Sequence, residues 1–509
     1  MKPELFNSLK NYKKKYILND LLAGLMVAII ALPLSIALGI QSMPEGVGNG
    51  IQAGIITAIV AGFFISFLGG SRFQIGGPTA AFVVILFGYL SDPDIGLLGL
   101  ALAGIMAGVL LILMGLLRVG NVMKFFPYPI TIGFTTGIGI TLLIGQVKDL
   151  CGFEASGTEA IEKIVSYIQN IHTFDLATFL VGALGLLCVI IIPKINKKIP
   201  SAFVALILCT IVTQLLNNFA GTSIATISES FGTITAGFNL IDFSGIGSVK
   251  FPSLIVPAIV IAFLCAIESL LSATVASGMT GTSFSANQEL IGQGVANICS
   301  SLVGGLPATG AIARTAAGIE NGARSPLTGV FHAIFLLIMY FALMSVVGLI
   351  PLTVFSAILI SVAINMSRFK LFAKLTAFGI RDSIILIVTC ALTIIFDLTY
   401  GVIGGVAITL IANIGSFKRG LSIDRRGSLI KAKGSVNFVS VNKIINACGA
   451  LAKEQKITID LSSVDRIDET ALEKLASLSR LMKKEERELS IIKLKPRVQK
   501  RFDKFFSVV

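Results

Sequence analysis

Apolar residues run along this chain in blocks of about twenty, with no strict alternation and no three-and-four stripe to mark a half-buried element. "LLAGLMVAIIALPLSIALGI" from Leu21 and "LVGALGLLCVIII" from Leu180 are two such blocks. Twenty apolar residues in a helix span the hydrocarbon core of a bilayer. The pattern predicts about fourteen segments, at 19–40, 51–69, 78–90, 97–117, 128–147, 175–193, 200–219, 253–276, 288–304, 308–320, 326–348, 350–366, 380–397 and 400–417. The third and the tenth are short. The first follows Lys10, Lys13, Lys14 and Lys15, is too long for a signal-peptide core and lacks a small-residue cleavage site, so it reads as an uncleaved helix.

Charge fixes the orientation. Loops after even-numbered spans carry Arg72, then Arg118 and Lys124, then Lys194, Lys197 and Lys198, then Arg324, then Arg368, Lys370, Lys374 and Arg381. Loops after odd-numbered spans offer only Lys148, Lys163 and Lys250. Positive loops stay inside, so both termini are expected in the cytoplasm of a multi-pass protein of the inner (plasma) membrane. Two outer loops are longer: 148–174, with a short amphipathic helix near "GTEAIEKIVSYIQNI", and 220–252, irregular or partly β.

After Phe417 the periodicity changes. "SLIKAKGSVNF", "KITIDLSSV" and "LSIIKL" read as strands. "VSVNKIINACGALAKEQ", "TALEKLASLSRLMKKEERE" and a basic "KPRVQKRFDKFF" read as helices, which together make a small α/β domain. The expected organisation is a cytoplasmic segment 1–18, a transmembrane domain 19–417 and a cytoplasmic domain 418–509. From Lys418 onward there are 21 Lys and Arg against 11 Asp and Glu, much of the net charge of +13. A basic tail beside anionic lipid explains that surplus, and no nucleic-acid motif accompanies it. The seven cysteines form no CxxC pair and His172 and His332 stand alone, so neither a metal site nor a cofactor is expected. No P-loop, HExxH or nucleophile–histidine pair marks an enzyme.

The short segments carry the chemistry. "GGPTAAFVVILFGYL" from Gly76 and "GGLPATGAIARTAAG" from Gly304 both open on Gly-Gly and a proline and continue with small residues. As third and tenth of fourteen they hold equivalent places in two seven-helix repeats (about 19–219 and 253–417), and an odd repeat length inverts one half against the other. Matched Gly/Pro-interrupted segments mark a transporter's binding site, because irregular backbone at membrane depth must be buried in protein or line a cavity. Each half-helix is expected to start near Pro78 or Pro307. Their N-termini would present free N–H groups and positive dipole ends to a shared anion, which Thr79, Ala80, Ala81, Ala308, Thr309, Gly310 and Ala311 let close to the backbone.

Arg314, one turn inside the second half-helix, either raises the potential at that site or pairs with a carboxylate such as Glu268. Glu268 lies mid-span in "IVIAFLCAIESLLSATVASG", where an ionised carboxylate is costly, with Ser272 one turn later on the same face. The pair reads as a coupling site for a proton or cation, or Glu268 as a structural partner for Arg314.

"GGPTAA", "GGLPATGAIARTAAGIENGARSPLTG", "AIESLLSA" and the C-terminal "ITIDLSSVDRIDETALEKL" together resemble the sulfate permease (SulP) family, whose cytoplasmic domain is a STAS domain. The resemblance implies an α-helical polytopic fold of fourteen segments in two inverted seven-helix repeats, forming core and gate, usually as a homodimer. It implies an anion site between the third and tenth helices, at Thr79, Ala80, Ala81, Ala311, Ile312 and Ala313 near Arg314, with Pro33 and Ser35 contributed by the first helix. Sulfate, bicarbonate, chloride and dicarboxylates are the substrates it implies. Many members carry Gln where this chain has Leu34, and sodium-dependent members tend to have Asp at Glu268 and a hydroxyl near Ile312, so the resemblance favours a proton over Na+ as the coupling ion. In related STAS domains a Ser-Ser-Gly or Ser-Thr-Gly run is phosphorylated. Here Glu469, Thr470 and Ala471 stand at those places, which leaves Thr470 as the sole acceptor and makes docking to a cytoplasmic partner, or assembly, the expected role.

The expected function is therefore proton-coupled symport of a small anion by alternating access. The competing readings are sodium-coupled or channel-like anion conduction, and a membrane-anchored regulatory protein that acts through its STAS domain.

Overall fold

The computed structural model describes residues 2–502 except 11, 45, 121–127, 156, 158, 197–198, 233–234, 239, 368, 376–379, 397, 418–419, 438–439, 450, 452–453, 485–486, 493–494, 497–498 and 500–501. Each predicted span is a helix: α2 (Tyr16–Gln41), α3 (Gly50–Leu68), α4 (Ala80–Ser91), α5 (Gly96–Leu116), α6 (Tyr128–Cys151), α8 (Leu176–Ile195), α9 (Ser201–Leu215), α11 (Phe251–Thr280), α12 (Ala286–Leu302), α13 (Ile312–Glu320), α14 (Leu327–Val347), α15 (Leu352–Ser367), α17 (Ile380–Ile395) and α18 (Leu398–Phe417). Among the described residues, nine helices are long and apolar enough to cross a membrane, whereas Ala80–Ser91 is apolar but shorter. Shorter helices α1 (Glu4–Leu9), α7 (Ala160–Gln169), α10 (Ile227–Phe231) and α16 (Phe369–Leu375) lie between them. The amphipathic helix expected in the first long loop is α7. The second long loop holds α10 and a 3-10 turn at Ile246–Ser248, and its only β feature among the described residues is a bridge from Thr226 to Pro351.

The chain forms two compact units. One comprises Met1–Lys124 and Ile138–Met366, the other Phe125–Gly137 and Ser367–Val509. In the first, helices approach through glycine: a Cβ on Gly108 of α5 would lie 2.5 Å from the Gly294 carbonyl of α12, and one on Gly294 equally close to the carbonyl of Gly108. With no hydrophobic force between helices in lipid, such close backbone contact is what holds them.

The second unit contains a four-stranded sheet in the order β3 (Ser422–Arg426), β4 (Leu429–Val436), β5 (Lys456–Ile467), β6 (Glu488–Ile492), with β3 antiparallel to β4 and the remaining pairs parallel. Helices α19 (Val441–Gly449) and α20 (Glu469–Lys484) supply Ile444, Leu472 and Leu475 to a core shared with Ile430, Ile457 and Ile459. Strand β3 was not expected: it is short, and the run Asp424, Arg425, Arg426 gives it no alternation to read. The basic helix expected over 495–506 falls largely outside the described residues.

Candidate functional site

Two pairs of residues bring the broken segments together. Strand β1 (Gly76–Gly77) runs antiparallel to β2 (Thr309–Gly310), with Gly76 opposite Gly310 and Gly77 opposite Thr309. A bond from Ala311 N to the Ile75 carbonyl at 2.9 Å extends the ladder. Antiparallel pairing sends α4 and α13 away from opposite ends of the strands, so each helix presents its N-terminal end back toward the pair. The first N–H groups of each, at Ala80–Ala81 and Ile312–Ala313, have no carbonyl ahead of them in their own helix. Helix α4 starts near Pro78 as expected, but Pro307 does not open α13. Thr79 separates Pro78 from α4, and Pro307 precedes β2, five residues before α13 begins. Strand β2 takes up Thr309 and Gly310 between Pro307 and α13, so the helix begins later.

Arg314 is 1% exposed. Its Nη1 donates to the Gly76 carbonyl and its Nη2 to Ser35 Oγ, both at 3.1 Å, while Nε has no partner. The ion pair with Glu268 considered from the sequence is not formed: the charge is held by a backbone carbonyl and a hydroxyl. Gly77 makes room for it. Its φ is +148°, and a Cβ there would sit 1.7 Å from Arg314 Nη1. Ser35 is buried on α2 one turn beyond Ala31, whose carbonyl accepts its hydroxyl at 2.6 Å, and Pro33 is buried beside it.

Glu268 meets the other segment, accepting a 2.9 Å bond at Oε2 from Thr79 Oγ1. Thr79 is the N-cap residue of α4 yet makes no side-chain cap to its own helix. Glu268, Thr79 and Ile312 are partly buried and Ala313 is exposed, whereas Ala80, Ala81 and Ala311 are buried. Ser272 shares the Glu268 face of α11 but does not join it: it is fully buried and donates to Thr315 Oγ1 at 3.4 Å, and Thr315 Oγ1 accepts the Ile75 N–H at 3.1 Å. Ser272 thus positions the strand pair. Thr470, the regulatory candidate, is 4% exposed and its Oγ1 accepts the backbone N–H of Tyr128 at 2.9 Å, so a kinase would reach it only after that contact opens.

Sequence reading missed the helix that holds the broken backbone together. Along α12, Asn297 accepts the Ala308 N–H at Oδ1 (2.8 Å) and donates to the Ala308 carbonyl from Nδ2 (2.9 Å). Ser300 donates to the Leu306 carbonyl, and Glu289 accepts the N–H groups of Gly70 and Ser71. Thr57 of α3 accepts the Leu306 N–H at 2.6 Å. Each of these groups would otherwise stand unsatisfied where water is scarce, at a cost of several kcal/mol. The signal was present as Glu289, Gln293, Asn297 and Ser300, buried polar residues on one helical face inside a predicted span.

Paired strands at the N-terminal ends of two helices, set among apolar spans and followed by an α/β module, define a polytopic membrane protein. The sequence pattern of the sulfate permease family matches residues 17–389, and that of the STAS domain matches residues 422–505. The chain belongs to the sulfate permease family. It is 40% identical over 359 residues to "Putative sulfate transporter YvdB" of Bacillus subtilis (strain 168), covering 70% of this chain and 66% of that protein. It is 32% identical over 385 residues to the bicarbonate transporter BicA of Synechocystis sp. (strain ATCC 27184 / PCC 6803 / Kazusa), covering 73% and 64%. The match therefore spans just under two thirds of the length of these relatives. Among solved structures, the transmembrane domain of a cyanobacterium bicarbonate transporter BicA superposes with a TM-score of 0.67 at 28% identity, covering 79% of this chain and 99% of that one. SLC26A9 superposes with a TM-score of 0.71 over 98% of this chain and 88% of that one, at 18% identity, a likeness of fold.

Proposed function

We propose that this protein is a secondary transporter of a small anion, bound between the N-termini of α4 and α13 and carried by alternating access in symport with a proton. The observation that carries the reading is the antiparallel strand pair, whose two helices turn donor-rich ends toward a buried guanidinium that has no carboxylate partner among the described residues. An anion supplies the missing negative charge, and the alanines flanking the pair admit it to the backbone. Glu268, bonded to the N-cap residue of α4, is the coupling group in this reading, and a proton reaching it alters the helix end that faces the anion. The transport domain covers 19–417 as inverted repeats (about 19–219 and 253–417), and the STAS domain, 418–509, lies with both termini in the cytoplasm of a plasma-membrane homodimer. Antiparallel pairing of the equivalent segments supports the inversion. The names of the relatives make sulfate and bicarbonate the first anions to test.

Proteoliposomes loaded without substrate and given labelled sulfate or bicarbonate, with and without an inward proton gradient, test it. Gradient-driven uptake in the wild type, lost in Glu268→Gln while anion binding persists, is the expected result. Uptake of either anion that ignores the gradient removes proton coupling, and no flux of either removes the transport reading for both.

A further inference from the structure

At the end of α4 away from the strand pair lies a cavity of about 280 Å³, lined by Gln41, Phe87, Lys148, Asp149, Lys163 and Tyr167 among others. Gln41 is six residues beyond Ser35 on α2, and Phe87 seven beyond Ala80 on α4. At 1.5 Å per residue, both helices place this cavity about 10 Å from the central site, toward the face read as external.

Its charges are unevenly matched. Asp149 accepts a 2.7 Å bond from Gln41 Nε2. Lys163 makes no hydrogen bond or ion pair among the described residues. Its ammonium lies 5.3 Å from the centre of the Phe87 ring and 3.9 Å from where a Cβ on Gly145 would stand. Burial lowers the pKa of Lys163 from its usual value, and Lys148 adds to this, while Asp149 and Glu162 oppose it without bonding to the ammonium.

Helix α7 holds it there. A capping box between Glu159 and Glu162 starts the helix, and Tyr167 ties it down by donating to the Ile144 carbonyl at 2.8 Å. Ile161, Ile164, Val165 and Ile168 remain exposed on its other side, an apolar surface suited to the outer leaflet. The sequence reading registered α7 as amphipathic but gave it no task.

We infer that this cavity is a second anion-binding site, an outer vestibule in which Lys163, held by α7 and assisted by Lys148, receives a small anion before it reaches the strand pair. The inference rests on the transport reading for its role in flux, but not for the binding itself. A lysine lining such a cavity raises the local anion concentration and the rate of entry.

The binding is tested by acylating the full-length protein in sealed, right-side-out vesicles with a membrane-impermeant amine reagent, and reading Lys163 by peptide mass spectrometry. Protection of Lys163 by sulfate or bicarbonate, several-fold and absent with an uncharged osmolyte, is expected. Labelling that neither anion slows, or a Lys163 the reagent reaches only in inverted vesicles, overturns the site. The role is tested by flux. Lys163→Gln is expected to raise KM for external anion about threefold to tenfold, leave Vmax and internal KM unchanged, and be restored by Lys163→Arg. A change equal on both faces, or none, overturns the vestibule role. A wild type that protects Lys163 but carries nothing defeats the transport reading alone.

Discussion

Arg314 and Gly76 are joined across the strand pair by a 3.1 Å bond from guanidinium Nη1 to the backbone carbonyl, so each broken segment holds the other. A buried cation whose bonds go to a carbonyl and a hydroxyl, with Nε left without a partner, has its charge uncompensated by any carboxylate among the described residues. In the proposed reading, a bound anion compensates it. A ligand at a hundred times its Kd stabilises the folded state by about 2.7 kcal/mol, and in the wild type sulfate or bicarbonate is expected to raise the Tm in detergent accordingly. In Arg314→Met, of similar reach and no charge, the protein folds and that rise disappears. Thermal unfolding with and without anion decides it, and a rise undiminished in the variant shows that Arg314 contributes no charge to the site.

The same contact makes a sharp demand on Gly77. Alanine there would keep a left-handed φ at a cost of about 1–3 kcal/mol and would displace Arg314, whose Nη1 lies 1.7 Å from the new Cβ position. Gly77→Ala is expected to lower the Tm and abolish anion-dependent stabilisation together. Gly88→Ala is its control: that glycine sits inside α4 with nothing within 4 Å of a Cβ. In a helix interior the exchange favours folding by up to about 1 kcal/mol, so Gly88→Ala should leave binding intact.

How far the sequence reached is clear from such residues. The spans were legible because lipid demands twenty apolar residues in a row, and the broken pair because glycine and proline interrupt that demand twice, in matched places. The strand pairing between the segments was not legible. Gly76–Gly77 and Thr309–Gly310 are two-residue strands without side-chain alternation, and they lie over two hundred residues apart. For the same reason Pro307 misled as a helix start. Glu268 was one of two readings for Arg314 because carboxylates are the usual companions of buried cations, whereas here a carbonyl and Ser35 take that place. Asn297 was overlooked because the polar face it shares with Glu289, Gln293 and Ser300 lies inside a span read for its apolar residues.

Outside the membrane, Asp175 gives a pH dependence whose sign can be worked out. It caps α8, accepting the N–H groups of Ala177 at 3.2 Å and Thr178 at 3.0 Å and the Thr178 hydroxyl. Burial raises its pKa, but the Thr178 hydroxyl and the two backbone donors outweigh this and hold it below the ordinary carboxylate range. A depressed pKa adds stability that is present above the unfolded value, about 4, and is lost as pH falls through the folded one. Asp175→Ala is therefore expected to cost about 1 kcal/mol at pH 7, and less at pH 3. Unfolding midpoints at the two pH values check it. A deficit that does not narrow in acid would assign the loss to packing.

Thr79 links the proposed coupling group to the proposed anion site. A threonine at an N-cap usually accepts an N–H from its own first turn. Here the hydroxyl instead donates to Glu268 at 2.9 Å, which leaves the donors of α4 for a ligand. If a proton on Glu268 is felt at the anion site, it is felt through this hydroxyl, because a protonated carboxyl no longer competes for the Thr79 proton in the same way. Thr79→Ser keeps the hydroxyl and is expected to retain gradient-driven uptake within about twofold. Thr79→Val keeps the shape and removes the bond, and a lost hydrogen bond to a charged group is worth about 1.5–3 kcal/mol. That corresponds to a loss of roughly tenfold or more in proton-driven uptake, with anion-dependent thermal stabilisation preserved. Measured side by side, the two variants separate coupling from binding: a valine variant that still concentrates anion on a proton gradient would place the coupling group elsewhere than Glu268.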